Sequence, residues 1–262
     1  MHPVPGDHER HVLPIHKIPK DHPRYVSLRI RQRMVAGLAR GLAAPEGLLA
    51  HGRGEAFDYL IGEKTSPEAR IALRAAAAAL VLAERPVLSV NGNVASLVAE
   101  DMVRLARELP LSVIEVNLFH RTEERIQTIT RLLKTFSRGE VRILGPGANA
   151  RLLGLSSQRA KTFKEGMMAA DVVLVPLEDG DRAEALKKAK KMVLAIDLNP
   201  LSRTARSADI TIVDNIVRAL PLLVSQVKAL KKASRARLKS IISSFDNRAN
   251  LDRVLRRILK GL

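Results

Sequence analysis

From about residue 86 onward the chain alternates short apolar runs with stretches in which apolar residues recur every three or four positions. Val87-Leu-Ser-Val90, Ser112-Val-Ile-Glu-Val116, Val141-Arg-Ile-Leu144, Asp171-Val-Val-Leu-Val175, Met192-Val-Leu-Ala-Ile196 and Ile210-Thr-Ile-Val213 are brief and rich in β-branched residues. Strands buried on both faces read this way. Between them, Leu97, Val98, Met102, Val103, Leu105 and Ala106 keep a helical spacing, as do Ile126, Ile129, Leu132 and Leu133. Repeated strand, helix, strand predicts βαβ units and a mostly parallel sheet. Right-handed crossovers then make this a doubly wound, Rossmann-like α/β domain.

Before residue 86 the pattern is helical. Tyr25 to Leu42 places Leu28, Met34, Val35 and Leu38 on one face, and Ser66-Pro67-Glu68 opens a long Ala-rich helix with proline at its first position. After residue 215, helices are predicted over Ile216 to Ala233, Ala236 to Phe245 and Leu251 to Leu259. The expected organisation is a loosely ordered extension over 1–20, an N-terminal helical region over 21–85, a Rossmann-like core over 86–215, and basic C-terminal helices over 216–262 packed on that core.

Composition narrows the function classes. The 262 residues are 46% hydrophobic, enough for a real core. The absence of cysteine excludes disulfides, thiolate catalysis and cysteine-ligated metal sites, and fits a reducing cytosol. The longest apolar run, Ala75 to Ala83, is too short to cross a bilayer, so no membrane partner is expected and the localisation expected is cytoplasmic. The net charge of +17 suggests a polyanion, yet residues 1–40 carry +5 and residues 221–262 carry +9. The middle of the chain, where strands and loops lie, is nearly balanced.

In an open α/β sheet, ligands sit beyond the carboxyl ends of the strands. Five polar groups fall at or near such positions. His51-Gly-Arg-Gly54 puts two glycines around Arg53 just before a helical pattern, which suits a phosphate or carboxylate; a cap and turn between packed helices is the competing reading. Asn91-Gly-Asn93 follows the first strand and is read as a strand-to-helix turn rather than a hairpin, because a helix pattern follows at once. Asn117 and Arg121 follow the second strand, ahead of a helix start at Thr122. Glu178-Asp-Gly-Asp181 could hold magnesium through water, or be an acidic helix N-terminus. Asp197-Leu-Asn-Pro200, with Arg203 and Arg206 close behind, suits ribose and phosphate. Gly145-Pro-Gly-Ala-Asn-Ala150 matches a loose dinucleotide fingerprint but follows the wrong strand and opens no convincing helix, and no Walker pattern is present.

Taken together the strings are specific. His22-Pro-Arg-Tyr25, Ala50 to Leu60, Ser89-Val-Asn-Gly-Asn93, Glu115 to Arg125, Val175 to Arg182 and Ile196 to Arg203 resemble the archaeal phosphopantothenate synthetases, the 4-phosphopantoate–β-alanine ligases, in the family's order over residues 20–245. The resemblance implies a homodimer that joins 4-phosphopantoate to β-alanine for coenzyme A, splitting ATP to AMP and pyrophosphate. It implies ATP contacts at Arg31, Arg53, Asp197, Leu198, Asn199, Arg203, Thr204, Asn215 and Ile216. Arg53, Arg203 and His51 are expected to serve the chemistry, Asn91, Asn93, Asn117 and Arg121 to face phosphopantoate, and Asp179 and Asp181 are candidates for Mg2+. The rivals are a basic α/β RNA-binding protein or a nucleotide-binding regulator. No aromatic lies within the basic stretch from Lys228 to Lys239, so a specific nucleic acid is not expected.

Overall fold

A computed structural model describes residues 18–155 and 158–261. The expected loose extension over 1–20 therefore lies, up to residue 17, outside the described residues. Three helices come first: α1 (Tyr25–Ala39), α2 (Pro45–Leu60) and α3 (Pro67–Leu82). The α/β unit then runs β1 (Pro86–Val90), α4 (Gly92–Glu108), β2 (Val113–Val116), α5 (Glu123–Ser137) and β3 (Arg142–Leu144). A small ribbon of β4 (Ala150–Arg151) and β5 (Lys161–Thr162) interrupts it. The second half comprises β6 (Val172–Pro176), α6 (Gly180–Lys188), β7 (Met192–Ile196), α7 (Arg203–Ser207) and β8 (Ile210–Ile212). Helices α8 (Ile216–Leu230), α9 (Arg235–Ser243) and α10 (Asn247–Lys260) complete the chain.

Six strands form one parallel sheet in the order β3-β2-β1-β6-β7-β8, as the apolar runs predict. The order reverses between β1 and β6, and this is the topological switch point of a doubly wound sheet. Alternation along the strands divides the core in two. Leu88, Ile114, Leu174, Leu194 and Ile212 face a layer built by α3, α4 and α8, while Val87, Val113, Val173 and Val193 face α6 and the segment around Leu152 and Met167. The run Ala75 to Ala79 is wholly buried, and these small side chains let α3 lie close against α8 and α9.

Capping follows the sequence signals. Ser66, Asn91, Thr122, Ser202, Asn215, Ser234 and Asp246 each accept a hydrogen bond from a backbone N–H in the first turn of the following helix. The basic residues of α9 lie on a solvated face: Arg235, Arg237 and Lys239 are exposed around buried Leu238. At the β8 edge, Asn247 from α10 accepts from the Thr211 N–H and donates to the carbonyls of Ala205 and Ala208. That side chain covers a strand edge that would otherwise be open.

One expectation is overturned. His51-Gly-Arg-Gly54 is neither a turn nor a helix start, but the middle of the continuous helix α2. Glycine in a helix usually costs stability, and at Gly47 its use is steric. A Cβ there would fall 2.4 Å from Asn93 Oδ1, whereas one at Gly54 would make only ordinary contact with Leu198 Cδ1, at 3.6 Å, and one at Gly52 would meet open space. Gly47 lets the start of α2 lie close against Asn93.

Candidate active site

The site is assembled at the switch point. Asn91, first after β1, uses its Oδ1 to accept from the Val94 N–H (3.0 Å) and its Nδ2 to donate to the carbonyls of Pro176 (3.1 Å) and Leu177 (2.9 Å). One side chain thereby caps α4 and ties the end of β1 to the end of β6. Asn93 donates to Gly47 O (2.8 Å), which fixes the start of α2 above the sheet. Thr204 donates to Glu178 O (2.7 Å), joining α7 to the loop after β6. Asp197, at the end of β7, accepts from the Asn199 N–H (2.9 Å) and the Ser202 hydroxyl (2.5 Å). Burial pushes its carboxyl above the ordinary range despite those donors and the nearby Arg53 charge.

Beneath α2 lie two adjoining cavities. The larger, about 780 Å³, gathers His51, Arg53, Asp197, Leu198, Asn199, Arg203 and Thr204, with Asp179 and Asp181 on its rim. Its size suits a small-molecule site. The smaller, about 260 Å³, is lined by Asn91, Asn93 and Asn117 together with Arg125. Arg53 and Asn93 line both, so the two spaces share a wall.

The charges around them are unevenly compensated. Arg203 is exposed and forked onto Glu184, at 3.1 and 2.9 Å. Asp179 and Asp181 both pair with Arg159, at 2.7 Å for Asp181, and the Arg159 guanidinium lies 3.7 Å from the centre of the Phe119 ring. Arg182, fully buried, sits 3.4 Å from Glu178 and donates to Arg159 O at 3.1 Å. Burial pushes the Glu178 carboxyl up, while the Arg182 charge pulls the other way. Arg53 makes no ion pair with any described residue. His51 Nε2 is buried without a hydrogen-bond partner, and burial, helped by Arg31, lowers the imidazole pKa against the opposing pull of Glu55 and Asp58.

Other expected residues lie outside both cavities. Arg31 on α1 donates to both oxygens of Glu55 at 2.9 Å. Asn215 donates to Asp58 Oδ2 at 2.8 Å, and Ile216 is the buried first residue of α8. These contacts anchor α2 from behind. Arg121 reaches Gly145 O at 3.5 Å, away from the cavities. Sequence reasoning missed Arg125, one turn further into the same segment, and Arg159, in the irregular stretch between β4 and β5. Among the described residues no three His, Asp or Glu side chains converge to hold a metal ion. The carboxylates of Asp179 and Asp181 are turned to Arg159, so they do not form a metal cage in this arrangement. The Gly145 to Ala150 stretch leads into β4 and opens no helix, in keeping with its rejection as a dinucleotide motif.

A family model described as phosphopantothenate/pantothenate synthetase matches residues 68–261. A 4-phosphopantoate–β-alanine ligase of Thermococcus kodakarensis is 53% identical over 238 residues, covering 91% of this chain and 90% of the relative. One of Methanosarcina mazei is 48% identical over 245 residues, covering 94% and 95%, and one of Methanospirillum hungatei is 50% identical over 203 residues, covering 78% and 82%. Resemblance by motif, match by family model and similarity along nearly the whole length agree: the chain belongs to the phosphopantothenate/pantothenate synthetase family.

Proposed function

We propose that the protein is an ATP-dependent ligase that joins 4-phosphopantoate to β-alanine in coenzyme A synthesis, releasing AMP and pyrophosphate through a phosphopantoyl-adenylate. The observation that carries this reading is the pair of adjoining cavities with Arg53 in their common wall. The relatives' activity as 4-phosphopantoate–β-alanine ligases supports the choice of substrates.

In the first step a carboxylate oxygen of phosphopantoate attacks the α-phosphorus of ATP and pyrophosphate leaves. In the second the β-alanine amine attacks the acyl carbon, AMP departs with the bonding pair on its oxygen, and the amine loses a proton. Both steps build negative charge on phosphoryl or carbonyl oxygens, so they call for fixed cations and N–H donors rather than a side-chain nucleophile. Arg53 stands where the two ligands would meet. Arg203 would exchange Glu184 for polyphosphate. Asp197, Leu198, Asn199 and Thr204 hold adenosine in the larger cavity, and Asn91, Asn93 and Asn117 face the acid in the smaller. Arg31, Asn215 and Ile216 serve ATP by fixing α2 and its neighbours. His51, kept neutral by burial, is a proton acceptor inside the cleft. Because the acidic loop is committed to Arg159, magnesium would arrive on the polyphosphate rather than in a protein cage. The protein is taken to act as a homodimer.

The test is AMP release from ATP with each substrate omitted in turn. Release only with both phosphopantoate and β-alanine is expected. Arg53→Ala and Arg203→Ala should each lower kcat by about 10²-fold, the scale of a lost oxyanion donor. Wild-type AMP formation in both variants would overturn the site assignment.

A further inference from the structure

The residue just after β6 has a backbone that its side chain makes costly. Leu177 has φ 51°, in the left-handed region, where a Cβ is crowded and glycine is the usual occupant. The other described non-glycine residues with positive φ, Glu63, Leu111, Arg138 and Lys190, all lie within three residues of the end of a helix. There a left-handed turn commonly closes the last carbonyls. Leu177 follows a strand, so that explanation does not reach it.

The turn is held from several sides. The Leu177 N–H donates to Ile196 O at 3.0 Å. The carbonyls of Pro176, Leu177 and Glu178 accept in succession from side chains, the first two from Asn91 Nδ2 at 3.1 and 2.9 Å, the third from Thr204 Oγ1 at 2.7 Å. Backbone strain persists where the surroundings over-determine it in this way, and it collects at functional sites. Every one of these bonds uses the backbone of the turn, so glycine would keep them all without the strain. What leucine adds is its side chain. That side chain packs against the main core and lines both cavities. Apart from Ala50, every other described residue in the common wall carries a charge or an amide. Leu177 is thus the large apolar surface beside Arg53, where the two ligands would meet.

We infer that Leu177 shields the acyl-adenylate from water. This rests on the ligase reading. An acyl-adenylate is a mixed anhydride that water can also open: a water oxygen attacks the acyl carbon, AMP leaves with the bonding pair on its oxygen, and the water gives up a proton. The free acid returns, and ATP is consumed without forming an amide. Charged and amide groups in the wall hold water by hydrogen bonds, whereas an apolar side chain holds none and fills the space beside the acyl carbon until the β-alanine amine enters. The clamp from Asn91 and Thr204 keeps the strained turn, and so the shield, in place.

The test measures AMP and phosphopantothenate together, with and without β-alanine, in wild type, Leu177→Gly and Leu177→Asn. Both replacements accept a left-handed backbone, so both are expected to fold. Wild type should form the two products in equal amounts and release little AMP from ATP and phosphopantoate alone. In both variants AMP release without β-alanine should rise by about tenfold, the effect of lowering the barrier to water attack by about 1.4 kcal/mol. With β-alanine present, the AMP formed should exceed the amide. A mere loss of packing slows every step and leaves the two products equal, so a ratio that stays at unity in both variants overturns the inference, however slow they are. Wild type that releases AMP freely without β-alanine overturns it as well. Strain is read separately: Leu177→Gly should melt above Leu177→Ala, because alanine keeps the crowded Cβ, and equal midpoints would defeat the premise of a strained turn. Wild type that releases no AMP with both substrates would defeat the ligase reading itself, a failure distinct from a ratio of unity.

Discussion

Gly92 illustrates how tightly single positions govern this site. A methyl group there would meet Leu42 O at 2.4 Å and Arg125 Nη2 at 2.8 Å, so Gly92→Ala must displace either the backbone after α1 or the guanidinium. Overpacking of this kind costs about 1–3 kcal/mol. Thermal unfolding of Gly92→Ala should show a clear loss of stability, and an unchanged midpoint would mean that the neighbouring backbone yields freely. Residues with a local chemical signature were legible in the sequence. Asn91 and Thr122 stand at helix starts and Asp197 at a strand end, as their local patterns predict, because each acts on backbone within a few positions of itself; the caps made by Ser202 and Asn215 are seen only in the structure. Arg125 was not legible. Arg121 and Arg125 flank the same helix start, and only the fold brings the second beside Leu42, 83 positions away. Arg159 was hidden for a similar reason: its partners Asp179 and Asp181 are about 20 residues distant, beyond β5 and β6, and only the fold brings them together.

At the scale of elements, all six main strands followed from short β-branched runs, since a parallel sheet covered on both faces leaves a continuous apolar imprint. The β4–β5 ribbon, two residues a side, leaves none. Helix α2 departs from the expectation because glycine signals a turn locally, whereas here Gly52 and Gly54 continue a helix, and the close approach is at Gly47, against Asn93. Three glycines lie among its 16 residues, at positions 47, 52 and 54. Each costs about 1 kcal/mol of helix propensity relative to alanine. Tertiary ties offset this: Glu55 to Arg31, and Asp58 to Asn215 and Arg218. Hydrogen exchange should therefore be faster in α2 than in the Ala-rich, wholly packed α3, and saturating ATP should slow it. Equal protection of the two helices without ligand would show that the glycines carry no such cost.

At the scale of the molecule, the charge of +17 resolves into solvated helix faces and a few cations in the cleft. One basic residue of the last helix has a structural duty. Arg257 on α10 forks onto Glu68 of α3 at 2.8 and 3.0 Å, binding the last helix to α3. That pairing holds the Glu68 carboxyl below its usual 4.5. A depressed carboxylate contributes stability that is present above its unfolded pKa and lost as pH falls through the folded one. The gap in melting temperature between wild type and Arg257→Gln should accordingly be open at neutral pH and close as the pH falls through the lowered folded-state pKa of Glu68. A gap that stays constant through the acid range would remove Glu68 from the account.

The wall shared by the two cavities has a consequence for how such a molecule could change. The smaller space is framed mainly by residues following β1 and β2, and the larger mainly by those following β6 and β7, with Asn91 stitching the halves together. The separation is incomplete, because Leu177, Glu178 and Asp179 after β6 line both spaces. Under the proposed reading, a change in the loops after β1 and β2 would reach the acid alone, whereas a change directly after β6 would reach both reactants at once.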